Sequence, residues 1–583
     1  MHVKGPTSFD DLYTANGVKH QLFRKSAVER GLIENDDGLL QCLTEASVFQ
    51  LPHPLRQLFA TILVYCDPGD VRRLWDEHYD SLSEDYRRQT QNSEQVQNMV
   101  LKDILTFLQS MSRSLHDFDL PHMTSNFIDS GGCQELQEET SIVVETDHLH
   151  AKDSLNADQR FAYDTIIRHV DDDCSGVFFV DGSGGTGKTF LYNALLAEVQ
   201  SRGQIAVATT SSGAAANNMP GGRIAHSRFK IPLELNNNSL CNISKQSGTA
   251  QPLLKAKLII WDEVSMAKRQ AVEALDRTMQ DIIGVRQPFG GKIMVLGGDF
   301  RQVLPVVKKG TRAQIVDSSL RMSPLWSGIK KMRLTVNMRA RTDPWFSDFL
   351  LKVGDGDEEV INGNFIRIPD DMTIPYTNGA KPKEDLISAI FPSMEVNGNS
   401  SYFDEAEDDV NNYYPIEFLN SLNVSGLPPH CLRLKVGCPV ILLRNIDPSD
   451  GLCNGTRLIC KGFQRNVIDA EIAVGQHAGK RVFLPRISLC PSEDDMFPFK
   501  LKRKQFPVRL SFAMTINKAQ GQTIPNVGVY LPESVFSHGQ LYVALSRGIS
   551  REKVKVLVRP TQEFPQLGVY TSNVVYREVL HDA

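Results

Sequence analysis

Eight residues, Gly182-Ser183-Gly184-Gly185-Thr186-Gly187-Lys188-Thr189, constrain this chain more than any other feature. An apolar run, Gly176-Val-Phe-Phe-Val180, leads into them, and a helical pattern, Phe190 to Val199, leads out. Strand, glycine-rich turn and helix in that order predict a parallel α/β layer with a phosphate-binding loop. Gly182, Gly184, Gly185 and Gly187 let backbone N–H groups converge on phosphate oxygens, with Thr186 in the same turn, and the helix N-terminus adds positive partial charge. Lys188 is spaced to reach the β- and γ-phosphates of a nucleoside triphosphate, and the Thr189 hydroxyl to ligate Mg²⁺.

The chain has 583 residues, too many for one core, so two to four domains are expected. Its net charge is −6, so contact with nucleic acid has to come from local basic patches and not from the field of the whole molecule. Ten cysteines are scattered without a C-x-x-C pair, which argues against a zinc ribbon or a disulfide scaffold. Cys431/Cys438 and Cys453/Cys460 share a seven-residue offset and read as half-buried thiols of a β-rich region. No apolar run has transmembrane length and the N-terminus lacks an apolar leader, so no membrane role and a reduced, intracellular setting are expected.

Apolar residues recurring at Val96, Val100, Ile104, Phe107, Leu108 and Met111 predict helices through residues 1–115. Residues 116–150 are polar and aperiodic and read as a linker. From 151 to 340 strands alternate with helical segments: Val177–Val180, Ile205–Thr210, Leu258–Trp261, Ile293–Leu296 and Arg333–Val336. Residues 430–510 carry short strands between Gly, Pro and Asn turns and read as a small β-barrel insertion. A second αβ region takes 341–429 and 511–583, with strands at Val527–Leu531 and Val554–Val558 and a helix near Gln540–Ser546. The acidic stretches Asp355–Glu359 and Asp404–Asp409 read as solvated surface.

Chemistry clusters at strand ends. Leu258-Ile-Ile-Trp-Asp262-Glu263 ends an apolar strand in two carboxylates, about seventy residues after the phosphate loop. Asp262 suits the Mg²⁺ that bridges the phosphates, and Glu263 a general base for the attacking water. Gln302, in Gly298-Asp299-Phe300-Arg301-Gln302, can donate to a γ-phosphate and accept from water. Arg339 and Arg547 can neutralise a transferring phosphoryl group, and from different domains they would tie hydrolysis to domain closure. Asn156 suits an N-cap, and Gln159 has the donor and acceptor that read an adenine edge. For single-stranded nucleic acid, hydroxyl, basic and aromatic side chains mix at Thr209–Gly213, including Thr210, at Gly221–Phe229, including His226 and Phe229, and at Phe512–Gly521, including Thr515 and Lys518. Lys500-Leu-Lys502-Arg503-Lys504 adds a basic patch.

These blocks stand in a fixed order: GSGGTGKT, LIIWDE, GGDFRQVLPV, LTVNMR, TINKAQGQTI and QLYVALSRG. In that order the chain resembles the Pif family of superfamily-one DNA helicases, relatives of RecD, from Leu155 to about Arg551. GGRIAHSRFKIP and the stretch from Leu419 to Ile459 look most like helicases of Helitron transposons and their plant relatives. The resemblance implies two RecA-like domains, at 151–340 and at 341–429 with 511–583, and ATP bound between them. It implies ATP-driven 5′→3′ translocation on single-stranded DNA, unwinding of forked DNA, and a nuclear setting, with a mitochondrial one as alternative. Repair, recombination and telomere maintenance are family roles. It assigns Lys188, Thr189, Asp262, Glu263, Gln302, Arg339, Arg547 and Gln159 the parts argued above, and sets Thr515 and Lys518 near the DNA. Asn517 stands where the family often has His, and Ile224 where it has Thr. The alternative reading is a nucleotide-dependent DNA-binding protein, or a decayed transposon fragment, that no longer unwinds. Protein partners are not legible.

Overall fold

The computed structural model describes residues 36–49, 51–111, 113–123, 134–142, 144–377, 381–391, 427–447, 450–490, 501–560 and 568–580, with isolated residues at 10, 13–15, 17–20, 26, 29, 402–403 and 422. The acidic stretch Asp404–Asp409 and Lys500 of the basic patch lie outside them. Two compact units divide the chain: residues 130–399 with 514–583, and residues 1–129 with 400–513.

The first unit is built on a six-stranded sheet. Its strands are β1 (Gly176–Gly182), β2 (Ala206–Thr210), β3 (Arg223–Ile224), β4 (Leu258–Asp262), β5 (Ile293–Gly298) and β6 (Lys330–Leu334), in the order β3-β2-β4-β5-β1-β6. Every pairing is parallel. Period-2 alternation sends Phe179, Val207, Ile259, Trp261, Met294 and Leu296 into one core and Phe178, Val180, Ala208, Ile260 and Val295 into the other. Helices α1 (Ala157–Asp171) and α2 (Lys188–Ser201) cover the second face with Ala162, Ile166, Leu191, Leu195 and Val199. Helix α3 (Arg269–Ile283) covers the first with Ala271, Val272, Leu275, Met279 and Ile282, and Gly284 at φ +79° closes it in the left-handed C-cap. Truncating Leu275 to Ala in such a core costs about 2–5 kcal/mol.

All these parallel strands end on one edge, where a doubly wound sheet presents its site. The register aligns Asp181 with Gly298, Gly182 with Leu334, and Thr210 with Asp262. Strand β6 ends at Leu334, two residues before the expected Val336. The reason is local: the backbone N–H and hydroxyl of Thr335 both donate to Asp158, at 2.8 and 2.6 Å, and turn the chain out of the sheet. In the rest of this unit Val527–Leu531 and Val554–Val558 pair in parallel, as expected, and Phe365–Ile368 lies antiparallel between Val360–Asn362 and Val569–Ser572.

The polar stretch read as a linker holds two short helices, Gln134–Thr140 and Thr146–His150. Glu139 there is buried and forms an ion pair at 2.5 Å with the buried Arg228, and Leu136 packs on the core. A short helix tied by one buried ion pair and one leucine carries no apolar periodicity for a sequence reading to find. Asp355, expected as solvated surface, pairs with Arg301 at 2.7 Å.

The second unit joins parts of the chain that the sequence reading keeps apart. Helices Asp37–Ser47, Pro52–Tyr65, Val71–Arg87 and Ser93–Ser110 share a core with Val467 and Phe483. Asp70 and Asn92 N-cap the last two, accepting from Arg73 and from Glu94 and Gln95. Five antiparallel strands run in the order Arg481–Pro485, Val467–Ile472, Arg457–Phe463, Pro439–Leu442, Val508–Leu510. They form a sheet whose two outer strands are not paired with each other among the described residues. Arg503 of the expected basic patch is buried and donates to the carbonyls of Pro428 and Leu422. Among the described residues no helix is long and apolar enough to cross a membrane.

Candidate nucleotide site

The phosphate loop runs from the end of β1 to the start of α2. Gly185 at φ +98° and Gly187 at φ +78° take left-handed backbone that other residues resist. A Cβ at Gly185 would fall 2.6 Å from Arg339 Cβ and from Asn337 Oδ1, so the loop is closed over by the turn after β6. That turn grips it further: the N–H groups of Met338 and Arg339 donate to Gly185 O at 2.8 and 3.2 Å. Thr186 Oγ1 donates to Ser183 O at 2.9 Å, and the buried Lys188 ammonium donates to Gly182 O at 2.5 Å. Thr189 follows, half-buried, on the first turn of α2.

Gln159, expected as an adenine reader, is buried and hydrogen-bonded to the phosphate loop and its own helix start. Its Nε2 donates to Thr186 O at 3.0 Å, and its Oε1 accepts from Asn156 N at 3.1 Å. Gln159 N–H donates to Asn156 Oδ1, which completes a capping box. In this conformation the glutamine amide braces the phosphate loop from behind.

The two carboxylates stand at the end of β4. Asp262 is buried, and its Oδ1 has no hydrogen-bond partner. Burial, with Glu263 next to it, raises its carboxyl to about 7, and Lys188 opposes the rise. Glu263 sits at φ +52°, ψ +34°, a left-handed conformation that costs a non-glycine residue about 1–2 kcal/mol. Strain held at this place is a feature of working sites. Glu263 Oε2 accepts from Gln520 Nε2 at 3.2 Å, so the C-terminal TINKAQ block orients this carboxylate.

Asp299 is a hub for which sequence reasoning assigned no role. Its Oδ2 accepts from Gln302 Nε2 at 3.1 Å and from the Tyr542 hydroxyl at 3.0 Å. Tyr542 in turn accepts from Gly184 N–H at 2.9 Å. A chain of three hydrogen bonds thus joins the phosphate loop, the Gln302 turn and the helix Gln540–Leu545. The buried Gln302 keeps its Oε1 without a partner. Burial pushes the Tyr542 hydroxyl well above its usual range, so it stays protonated and donates. Nearby, His538 Nδ1 accepts from Tyr576 N at 2.8 Å, which leaves the proton on Nε2 to donate to Phe300 O at 2.7 Å. Tyr542 and Gln520 lie inside blocks quoted above, but nothing in their spacing marks them.

Both expected arginines reach the loop. A Cβ placed on Gly184 would lie 3.4 Å from Arg547 Nη2. Arg547 is 2% exposed and donates to Val543 O, Ala519 O, Gln522 O and Ser546 Oγ. Burial draws its guanidinium below the usual range, with Glu263, Tyr542 and Asp299 pulling the other way. Arg339 Nη1 donates to Ser546 O at 2.8 Å, and burial followed by repulsion from Arg547 lowers it to about 10. The structure therefore brings Lys188, Asp262, Glu263, Gln302, Arg339 and Arg547 to one edge of the sheet.

The expected DNA contacts divide. Phe229 is fully buried and packs on Trp261 at 5.6 Å between ring centroids, so it is a core residue and not a stacking platform. Thr210 is also fully buried, and its Oγ1 accepts from Ser212 N at 3.4 Å. The sequence pattern misleads at both positions, because a mixed polar-aromatic pattern marks a single-strand track only if its side chains face water. His226 is half-buried with its pKa lowered by that burial, and it lines a cleft with Lys230, Cys241 and Ser244. Thr515 and Lys518 are exposed, at the N-cap and within the single helical turn Ile516–Ala519.

Residues 154–363 match the family described as PIF1-like helicase, and residues 417–463 match the 2B domain of DNA helicase Pif1. ATP-dependent DNA helicase PIF1 of Danio rerio is 28% identical over 408 residues, covering 65% of this chain and 58% of that protein. ATP-dependent DNA helicase Pif1 of Bdellovibrio bacteriovorus is 27% identical over 381 residues, covering 63% of this chain and 81% of that protein. A crystal structure of Bacteroides Pif1 bound to ssDNA aligns with 69% of this chain and 92% of its own, at 24% identity and a TM-score of 0.48. The chain spans about three fifths of the length of the vertebrate relatives it matches. The phosphate loop and the carboxylate pair lie inside the region that matches the PIF1-like helicase family, and the sequence relatives named here are PIF1 helicases.

Proposed function

We propose that this chain is an ATP-dependent 5′→3′ DNA helicase that couples ATP hydrolysis to movement on single-stranded DNA and to unwinding of forked DNA. One observation carries the reading. Arg547, from the segment after the insertion, is buried against Gly184 of the phosphate loop while its hydrogen bonds go to neutral oxygens. A guanidinium in that position waits for an anion, and the γ-phosphate is the anion this loop holds. ATP-dependent helicase relatives from fish to bacteria support the same activity.

In the proposed reaction Lys188 leaves Gly182 O to bind the β- and γ-phosphates, and the loop N–H groups cradle them. Thr189 and Asp262 fit a Mg²⁺ ion, because the buried Oδ1 of Asp262 has no hydrogen bond to lose. When bound, that ion offsets phosphate charge. Glu263, oriented by Gln520, accepts the proton of the attacking water. Gln302, held by Asp299 through its Nε2, uses its open Oε1 to accept from the same water. Arg339 and Arg547 stabilise charge developing on the transferring phosphoryl group. Loss of the γ-phosphate removes the anion from Arg547, and the Tyr542 relay transmits the change to the Asp299 turn. Thr515 and Lys518 serve the DNA backbone from their exposed turn, and a nuclear or mitochondrial setting follows from such a substrate.

Forks bearing only a 5′ tail or only a 3′ tail test polarity and activity together. The reading expects ATP-dependent strand separation of the 5′-tailed fork, lost in Lys188→Ala. Unwinding confined to the 3′-tailed fork, or DNA-stimulated turnover that survives Lys188→Ala, would overturn it.

A further inference from the structure

Outside the nucleotide site, one pair of nucleophilic side chains is placed with unusual definition. Cys438 N–H donates to Lys435 O at 3.1 Å, closing a tight turn with Gly437 at φ +84°. Gly437 N–H donates to Cys460 O at 2.7 Å, and Cys460 N–H donates to Cys438 O at 3.1 Å. This is a glycine bulge: Gly437 and Cys438 together oppose the single residue Cys460. A Cβ on Gly437 would meet nothing within 4 Å, so the left-handed φ alone calls for glycine. Regular pairing resumes next door at Pro439 and Ile459. The bulge therefore holds Cys438 and Cys460 opposite one another, with their side chains in the same core cluster. Cross-strand neighbours have Cα atoms about 5.5 Å apart, inside the window that a disulfide spans.

We propose that Cys438 and Cys460 form an oxidant-sensitive dithiol that a hydroperoxide converts to an intramolecular disulfide. Both side chains lie in one core cluster, and backbone hydrogen bonds hold their residues opposite one another. Cys438 is 9% exposed and Cys460 fully buried, so only the first is open to an oxidant. The Cys460 side chain also brings Cys438 down to about 7, while Cys438 and burial push Cys460 up. In the first step the Cys438 thiolate attacks a peroxide oxygen. A sulfur–oxygen bond forms, the oxygen–oxygen bond breaks, and the leaving oxygen takes a proton, leaving a sulfenic acid. In the second, Cys460 sulfur attacks Cys438 sulfur. The sulfur–sulfur bond forms, the sulfur–oxygen bond breaks, and hydroxide leaves with the Cys460 proton as water. Two thiols are oxidised and one hydroperoxide is reduced. The product would staple the strands Pro439–Leu442 and Arg457–Phe463, which already pair.

Peptide mapping of the full chain after stoichiometric hydrogen peroxide tests this. The expected result is a Cys438–Cys460 linked peptide, about 2 Da lighter than the two reduced peptides together, that dithiothreitol reverses. Cys460→Ser should stop the reaction at a sulfenic acid on Cys438, trapped by dimedone, and Cys438→Ser should leave Cys460 a free thiol. Thermal melts of both variants show whether each is folded. Both cysteines recovered as free thiols, a link to a different cysteine, or a folded Cys460→Ser protein that traps no sulfenic acid would each overturn the proposal.

Discussion

Two buried arginines, one in each unit, show how differently this chain treats a positive charge. Arg56, in the helical region, is 1% exposed and donates to both oxygens of Asp85, at 2.8 Å each, and to Asp103 at 2.9 Å. It adds the Leu82 carbonyl and lies over the Tyr86 ring at 4.6 Å. Burial works against its charge, yet Asp85 and Asp103 outweigh burial and hold it above the usual range. Arg547, equally buried, bonds carbonyls and a hydroxyl, and burial wins: its guanidinium is drawn down. Arg56 has its counter-ions built in and acts as a scaffold. Arg547 has no carboxylate among its hydrogen-bond partners, and it lies at a phosphate loop. A perturbed group marks a working site when its neighbours leave its charge unanswered, not merely when it is buried.

The largest expected effect breaks that contrast from the catalytic side. Arg547→Ala should lower kcat for ATP hydrolysis by about 10³-fold or more, with ATP affinity changed only a few-fold. Steady-state turnover beside equilibrium binding of a fluorescent ATP analogue checks it, and equal losses in both would make Arg547 a binding residue. Next comes the scaffold. Arg56→Ala should cost about 3 kcal/mol in urea unfolding, toward the low end for a broken buried pair because Asp85 and Asp103 keep partial solvent contact. A change under about 1 kcal/mol would mean the cluster is structurally idle.

A pH titration sharpens the comparison at Asp262. Burial raises this carboxyl to about 7, and metal binding needs it ionised. Affinity for Mg²⁺·ATP should be flat above that pH and fall by up to about tenfold per unit below it, as a proton must be displaced. Isothermal titration in buffers of different ionisation enthalpy would report the released proton. Asp262→Asn should bind weakly at every pH, and a wild-type affinity that does not change from pH 6 to 8 would contradict the assignment. The smallest effect belongs to Tyr542→Phe, which deletes the hydroxyl between Gly184 N–H and Asp299. A loss of about 1 kcal/mol, seen as a roughly fivefold drop in kcat with KM little changed, is expected. An unchanged kcat would remove Tyr542 from the coupling path.

The residues gathered at this sheet edge are legible in the sequence because they sit at the ends of apolar strands, where residue type and position together suggest a chemistry. Lys188, Asp262, Glu263 and Gln302 needed only the strand-to-turn pattern. Arg339 and Arg547 could be placed only through the resemblance, since an arginine after a strand or on a short helix looks like surface. Tyr542, Asp299 and Gln520 carry no local mark, because Tyr542 pairs with Asp299 and Gln520 with Glu263 across more than two hundred residues of sequence. Phe229 and Thr210 went the other way: local composition suggested a DNA track, and burial against Trp261 and within β2 decides otherwise. The packing of Pro52–Tyr65 with Val467 and Phe483 left no local trace, because each face alone reads as an ordinary amphipathic surface.

The central claim is that Arg547 meets charge present chiefly in the transition state. Binding of ADP with Mg²⁺ and aluminium fluoride, a mimic of the transferring phosphoryl group, measures that directly. The wild-type chain should bind this mimic at least about a hundredfold more tightly than ADP with Mg²⁺, and Arg547→Ala should lose most of that gain while binding ADP with Mg²⁺ normally. An Arg547→Ala protein that keeps the full gain would contradict the account.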